Sequence, residues 1–218
     1  TTITTRLKTP FLAALLAASL LGCASNPGSN QTDKARYYAS WTGAMQDSTQ
    51  VRAGTPAPAA QVFNDQSIRQ VVRLSVGGER IRIKVSNLFG TTPVTFSGVQ
   101  VAKSVGGSGI DAASSQAVQF GGQASVTLAA GEERMSDAVA MPVAPLADIA
   151  VTMYFAAPST VTTLHTLGRQ TAYIAQGQQL AAATLASDKV NQRQSYYGLT
   201  AVEVASADPA RVVVDRKN

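Results

Sequence analysis

The chain of 218 residues contains one cysteine, one histidine, one tryptophan and few charged side chains. Because Cys23 is the only cysteine, an intramolecular disulfide is excluded and packing must supply the stability. Charged residues make up 14% of the chain and aromatic residues 6%, whereas glycine, alanine, serine, threonine and valine are abundant. This composition favours a β-rich secreted protein over a helical bundle or a disordered chain.

The residues needed for common catalytic and metal sites are also scarce. Acyl transfer by a serine needs a nucleophile, a base and oxyanion donors, yet the sequence has no Gly-x-Ser-x-Gly and no Gly-Asp-Ser motif. His165 is the only histidine, and its place near a predicted strand end favours a hydrogen-bonded structural role. One histidine and one cysteine cannot supply the ligands of a zinc site. We therefore expect no catalytic residue, no cofactor and no tightly bound metal.

The first 22 residues have the pattern of an export signal. Arg6 and Lys8 precede an apolar run of 11 residues, Phe11 to Leu21, which is too short to span a bilayer. The run ends in Leu20-Leu21-Gly22-Cys23, which resembles a bacterial lipoprotein signal. That resemblance implies lipid attachment at Cys23 and a place in the bacterial cell envelope, at the outer membrane or another extracytoplasmic face. A plain signal peptide followed by an incidental cysteine is the alternative.

The segment Ser67 to Gly90 has the alternating pattern of two half-buried strands. Val72, Leu74 and Val76 share one face of the first strand, and Ile81, Ile83 and Val85 share one face of the second. Gly77-Gly78 lies between them and can adopt the positive φ of a tight turn. The sequence therefore predicts an antiparallel hairpin.

Cationic side chains are densest on the opposite, outward face of this predicted hairpin. They are Arg69, Arg73, Arg80, Arg82 and Lys84. We expect a solvated strand face, with a surface for an anionic ligand as the alternative. Once Arg6 and Lys8 are removed with the signal, 16 basic residues face 13 acidic ones, which gives no reason to expect a nucleic-acid partner.

The remaining chain divides into a tether, a domain and a short C-terminal segment. Residues 23–60 are rich in Pro, Ser and Ala and contain an aromatic first strand at Tyr37 to Trp41. Residues 61–208 predict an antiparallel β-sandwich of jelly-roll type, and residues 209–218 a linker and one more strand. Further strands are expected at 94–102, 117–120, 125–128, 136–142, 149–155 and 197–204. Leu180 to Ala186 is Ala-rich, which allows one or two helical turns.

Several motifs resemble the N-terminal β-sandwich domain of secreted SGNH/GDSL-family ester hydrolases. The most specific are Ile68-Arg69-Gln70, Ser75-Val76-Gly77-Gly78, Arg80-Ile81-Arg82, Ser86-Asn87 and Phe89-Gly90. Weaker matches are Ala39-Ser40-Trp41, Phe120-Gly121-Gly122, Asp148 to Val151, and His165 with Gln170 to Tyr173. Together they span residues 37 to 214 in the order expected for the family.

The resemblance implies an accessory domain of an enzyme that hydrolyses acyl or acetyl esters, with carbohydrate as one candidate carrier of the ester. In the family, a strand such as Val212-Val213-Val214 leads into the Gly-Asp-Ser block, but here Asp215-Arg216-Lys217-Asn218 follows. We therefore expect the C-terminal hydrolase domain to be a partner outside this sequence and the chain alone to be inactive. The alternative is a free-standing carbohydrate-binding envelope lipoprotein, with Trp41, Asn87 and His165 as candidate ligand contacts.

Overall fold

Short alternating apolar segments form strands along the whole of the chain that the computed structural model describes, residues 36–50, 60–185 and 190–206. The strands are β1 (Tyr37–Thr42), β2 (Gln46–Asp47), β3 (Gln61–Phe63), β4 (Gln66–Arg73), β5 (Gly78–Ser86), β6 (Val94–Phe96), β7 (Gly98–Gly106), β8 (Gly109–Ile110), β9 (Gln116–Val118), β10 (Val126–Leu128), β11 (Glu133–Met135), β12 (Val139–Val143), β13 (Asp148–Phe155), β14 (Ser159–Val161), β15 (Thr163–His165), β16 (Ala172–Gln176), β17 (Asn191–Arg193), β18 (Tyr196–Tyr197) and β19 (Leu199–Ala205). A 3-10 turn, Ala112–Ser114, joins β8 to β9.

Two larger antiparallel sheets carry most of these strands. The first has the order β1-β19-β5-β11, with β12 also paired to β5, and the second has the order β17-β16-β4-β13-β7-β8, with β9 also paired to β7. Smaller sheets pair β10 with β6, β14 with β3, and β15 with both β18 and β2. The predicted all-β antiparallel sandwich is confirmed.

The main core lies between the inward faces of these sheets. Ile68 and Val72 of β4 belong to the same buried cluster as Ile81 and Ile83 of β5 and Val202 of β19. At one end, Phe63 stacks on Phe155 with ring centroids 4.6 Å apart. Burial of such apolar side chains is the dominant stabilising contribution in a fold without disulfides.

The predicted hairpin is wrong, because its two strands belong to different sheets. β4 pairs with β13 and β16, whereas β5 pairs with β19, β11 and β12. The chain therefore crosses from one layer of the sandwich to the other at residues 74–77. The inward faces were predicted correctly, but β4 is buried on both faces rather than on one. Alternation also cannot reveal which strand a neighbour pairs with.

Gly77 and Gly78 serve a different purpose from the predicted turn. Neither glycine has positive φ. A Cβ on Gly77 would lie 2.5 Å from the carbonyl oxygen of Val143, and one on Gly78 would lie 2.2 Å from that of Ala205. Both glycines are thus required by close backbone approach at the crossing between layers.

The predicted cationic face is also wrong as a single surface. Arg69 and Arg73 lie on β4 in one sheet, while Arg80, Arg82 and Lys84 lie on β5 in the other. Arg82 is paired with Glu203 at 2.6 Å and covers the ring of Tyr37 at 4.0 Å.

Arg69 in particular is fully buried rather than solvated. A small second cluster of Val71, Ala102, Ile110 and Ala150 packs on this outer face of β4. The Arg69 guanidinium donates to the hydroxyl of Thr152 at 2.9 Å and to carbonyl oxygens of Ser108, Gln179 and Ala182. Burial lowers the pKa of Arg69 to about 10, so the side chain remains a cation at neutral pH.

Residues 180–185 do not form the helical turns that their composition allowed. They run as a turn and irregular chain over β4, where the carbonyl of Ala182 accepts from Arg69. The export signal, Cys23, most of the tether and the strand at Val212 to Val214 lie outside the described residues.

Candidate functional site

A shallow groove runs beside the end of β4 at the surface of the seven-stranded sheet. Its larger part, about 410 Å³, is lined by Trp41, Arg73, Asp148, Gly168, Arg169, Gln170 and Tyr196. Its smaller part, about 220 Å³, is lined by Val71, Ser104, Gly106, Gly107, Asp148, Gln170, Thr171 and Tyr173. Asp148 and Gln170 line both parts, so the two depressions adjoin. Trp41 and Tyr196 line only the larger part and Tyr173 only the smaller part, whereas the polar residues Asp148 and Gln170 are shared.

The middle of the groove is an ion pair fixed by strand register. Asp148 and Arg73 are direct partners in the pairing of β13 with β4. The Arg73 guanidinium donates through Nε and Nη2 to the two carboxylate oxygens, both at 2.9 Å. This bidentate contact is the strongest form of a surface pair, although Arg73 remains 67% exposed.

Replacing Arg73 by glutamine is expected to raise the pKa of Asp148 back towards the ordinary value of 3.8. Hydrogen bonds from Arg73 now lower this pKa, with the nearby positive charge adding to them. A lowered carboxyl pKa means that the pair contributes stability above pH 3.8 and loses that contribution as the pH falls through the folded-state pKa. Carboxyl ¹³C NMR would measure the shift. Arg134→Gln, which removes the partner of Glu132 instead, is the control; an unperturbed Asp148 in the unmodified protein would contradict the assignment.

Tyr196 forms the floor of the larger part and connects two of the predicted ligand contacts. Its ring lies 4.7 Å from that of Trp41 and 6.3 Å from that of His165. Its hydroxyl donates to the carbonyl of Val71 at 3.0 Å, and burial raises its pKa to about 12. Tyr196 is therefore a neutral, fixed support for the partly exposed Trp41.

The loop that follows β15 supplies Gly168, Arg169 and Gln170 to the lining of the larger part. Leu167 and Arg169 adopt positive φ, 54° and 53°, which costs a side chain other than glycine about 1–2 kcal/mol. Gly168 between them packs on Tyr196, since a Cβ there would lie 2.7 Å from the ring. Its N–H also donates to the carbonyl of Gln194 at 2.9 Å. The backbone of Arg169 is therefore held in an uncommon conformation by its neighbours.

His165 lies behind this loop and makes a main-chain contact. Its Nδ1 lies 2.7 Å from the carbonyl oxygen of Ala44, which can only accept. The ring therefore carries a proton on Nδ1 and is held against Tyr196. His165 supports the floor of the groove, and it does not line it.

Asn87 lies elsewhere, in a buried contact between loops. Its Nδ2 donates to the carbonyls of Thr92 at 2.9 Å, Leu128 at 3.2 Å and Ala129 at 3.0 Å. Its side chain is 1% exposed. The structure thus brings Trp41 and His165 together around Tyr196 and places Asn87 in a purely internal contact.

The groove brings together residues that the sequence alone did not connect. Arg73, Asp148 and Arg169 come from three separate segments, and only the pairing of β4 with β13 joins the first two. The available signals were Arg73 in the predicted cationic face, Asp148 in a weaker family match, and the segment Gln170 to Tyr173, which forms part of the wall of the smaller part.

No metal centre is formed by the part of the chain that the structure describes: it contains no group of three or more His, Cys, Asp or Glu side chains positioned to hold an ion. Within residues 36–50, 60–185 and 190–206, no helix has the length and apolar character required to cross a bilayer.

No protein-family model matches the chain, and no curated protein matches it either. The resemblance to SGNH/GDSL ester hydrolases therefore stays a prediction.

Proposed function

We propose that this β-sandwich is the non-catalytic accessory domain of an SGNH/GDSL-type ester hydrolase of the bacterial cell envelope, anchored by lipid at Cys23. The hydrolase domain is its partner, and the substrates of the whole enzyme are acyl or acetyl esters, including esters carried by carbohydrate. The role of the sandwich is to position the enzyme or its substrate.

The observation that carries this proposal is the setting of His165. In a serine triad, the histidine Nδ1–H binds an acidic side chain and Nε2 faces the nucleophile. Here the Nδ1–H binds the carbonyl of Ala44, and the ring packs on buried Tyr196. Such a histidine supports packing, in agreement with an accessory role.

The residues that carry the family resemblance have structural duties of the same kind. Asn87 ties together the loops after β5 and β10, and Gly90 leaves room for it, because a Cβ on Gly90 would lie within 2.5 Å of the Asn87 amide carbon. The backbone N–H of Phe89 donates to the Thr163 hydroxyl at 2.9 Å. The backbone carbonyl of Phe89 accepts from the Thr162 hydroxyl at 2.8 Å. Residues that stabilise the fold in this way are the ones that an accessory domain would share with related domains.

We expect neither the full chain nor its His165→Gln variant, at equal concentration, to hydrolyse p-nitrophenyl acetate faster than buffer alone. The physical reason is that the scaffold holds its one histidine by a main-chain carbonyl. Absorbance of released p-nitrophenol measures the rate. Turnover above buffer that a single serine substitution abolishes would overturn the proposal. The coding sequence beyond Asn218 gives a second test, since a Gly-Asp-Ser block there would support the partner domain.

The groove favours a second candidate, a free-standing carbohydrate-binding envelope lipoprotein. Trp41 and Tyr173 flank a polar centre, and flat aromatic rings beside hydrogen-bonding side chains suit sugar rings. Titration calorimetry against envelope polysaccharides separates the candidates. Absence of binding to every polysaccharide would remove this one, while binding without a hydrolase partner in the gene would favour it.

A further inference from the structure

The two arginines of the groove differ in their partners. Arg73 is neutralised by the bidentate contact with Asp148. Arg169 is exposed, and the described residues provide it with no ion pair or hydrogen bond. The groove therefore has one net positive charge, at Arg169.

The backbone of Arg169 adopts a conformation that is uncommon for a residue with a long side chain. A glycine would occupy φ 53° without strain, yet the position holds a long cationic side chain. Strained conformations of this kind persist where the surroundings enforce them, and they concentrate at binding sites. Gly168, the preceding residue, packs closely on Tyr196 and so restricts the backbone of the loop at this point.

We propose that the groove binds a carboxylated pyranose, such as a uronic acid residue of a polysaccharide. The apolar face of the sugar ring packs on Trp41, and the carboxylate accepts paired hydrogen bonds from the Arg169 guanidinium. A guanidinium matches a carboxylate in bidentate geometry, which makes it selective for this group.

The middle of the groove suits sugar hydroxyls. Asp148 offers acceptor lone pairs, Arg73 keeps N–H groups that Asp148 does not use, and the Gln170 amide offers both kinds of atom. A hydroxyl donates and accepts, so it can satisfy such a mixed surface. A uronate carboxylate carries one negative charge, which the single unpaired cation of the groove can balance, whereas a phosphate dianion carries two. Tyr173 in the adjoining part provides an aromatic ring for the next sugar.

This inference deepens the proposed role of the domain in positioning substrate, but it stands on the groove alone. Esterase activity in the chain would overturn the accessory role and leave the glycan site untouched. Failure to bind a uronate would remove the site and leave the accessory role untouched.

The test uses the fluorescence of Trp41, the only tryptophan of the chain. The full chain is titrated with α-1,4-linked trigalacturonate and, separately, with the same trimer carrying methyl esters on its carboxylates. We expect saturable fluorescence change with trigalacturonate and affinity at least about tenfold weaker for the ester, because the ester cannot form charged hydrogen bonds with Arg169. Equal affinity for both trimers, or no change with either, would overturn the proposal.

Two arginine variants locate the site. Arg169→Gln is expected to weaken trigalacturonate binding by about tenfold or more. Arg80→Gln, which removes an exposed arginine from β5 in the other sheet, is the matched control and should bind as the unmodified protein does. Circular dichroism checks that both variants keep the β fold. Equal loss of binding in the two variants would show nonspecific charge attraction and overturn the site.

Discussion

Replacing Arg69 by methionine is expected to lower the free energy of unfolding by about 3–5 kcal/mol, a large share of the stability of a single domain. The methionine fills similar volume, but the Thr152 hydroxyl and the main-chain carbonyls of Ser108 and Ala182 lose their donor. The carbonyl of Gln179 also loses Arg69 but keeps the N–H of Ala182 at 3.3 Å. The main-chain carbonyls remain in the variant, and each buried polar atom left without a partner costs about 1–3 kcal/mol. Urea unfolding followed by circular dichroism measures the change.

The control for this prediction lies on the same strand. Arg73→Met removes a guanidinium that is 67% exposed, so its loss should shift the urea midpoint little. Arg69→Lys should fall between the two, since one ammonium cannot reach acceptors on residues 108, 152, 179 and 182 together. A methionine variant as stable as the unmodified protein would refute the importance of the buried guanidinium.

The effect of Arg69 extends to the groove. Its guanidinium holds the carbonyl of Ser108, next to Gly107 in the wall of the smaller part. Arg69 is also the direct strand partner of Tyr173. Loss of the guanidinium would therefore loosen one wall of the candidate binding site as well as the domain.

Replacing Asn87 by aspartate is expected to cost about 3–5 kcal/mol at pH 7, although the two side chains have the same shape. The amide Nδ2 now faces carbonyl oxygens of Thr92, Leu128 and Ala129 within 3.2 Å. A carboxylate oxygen in that place would repel all three, in a position that is 1% exposed. The variant therefore combines a lost donor with a buried, unpaired charge.

The sign of the pH dependence makes the Asn87→Asp test specific. The folded state would raise the pKa of the new carboxyl above its unfolded value of about 3.9, because only the protonated form can donate. The variant should therefore be most stable below that pH and lose stability as the pH rises towards the folded-state pKa. Urea unfolding at pH 4 and pH 7 measures the difference. Asn64→Asp, at an exposed position, is the control and should show no such loss; equal behaviour of the two variants would contradict the prediction.

The class of fold was predictable from the sequence because alternation is a local signal. Ile68 and Val72 occupy the inward face of β4 as the pattern of that segment indicates. Pairing is not local: the partners of β4 begin at Asp148 and Ala172, and nothing in residues 67–90 specifies them. The adjacent glycines therefore suggested a turn, although close approach to Val143 and Ala205 is what requires them.

The burial of Arg69 could not be predicted from the sequence for the same reason. An arginine in an alternating strand normally faces water, and the chain that covers it here lies more than 100 residues further along.

The candidate site was predictable only in part. Trp41 and His165 stood out as rare aromatic and imidazole groups, but the ion pair of Arg73 with Asp148 exists only through strand register.

The order of the strands has a consequence for synthesis of the protein. β5, in the middle of the five-stranded sheet, pairs along most of its length with β19, and β4 pairs with β16. A nascent chain would therefore expose one edge of each strand until these late partners had been translated, although β11, β12 and β13, which pair with the other edges, come earlier. Such distant pairing makes folding slow, and it makes protection of the unfinished chain from aggregation a requirement for its production.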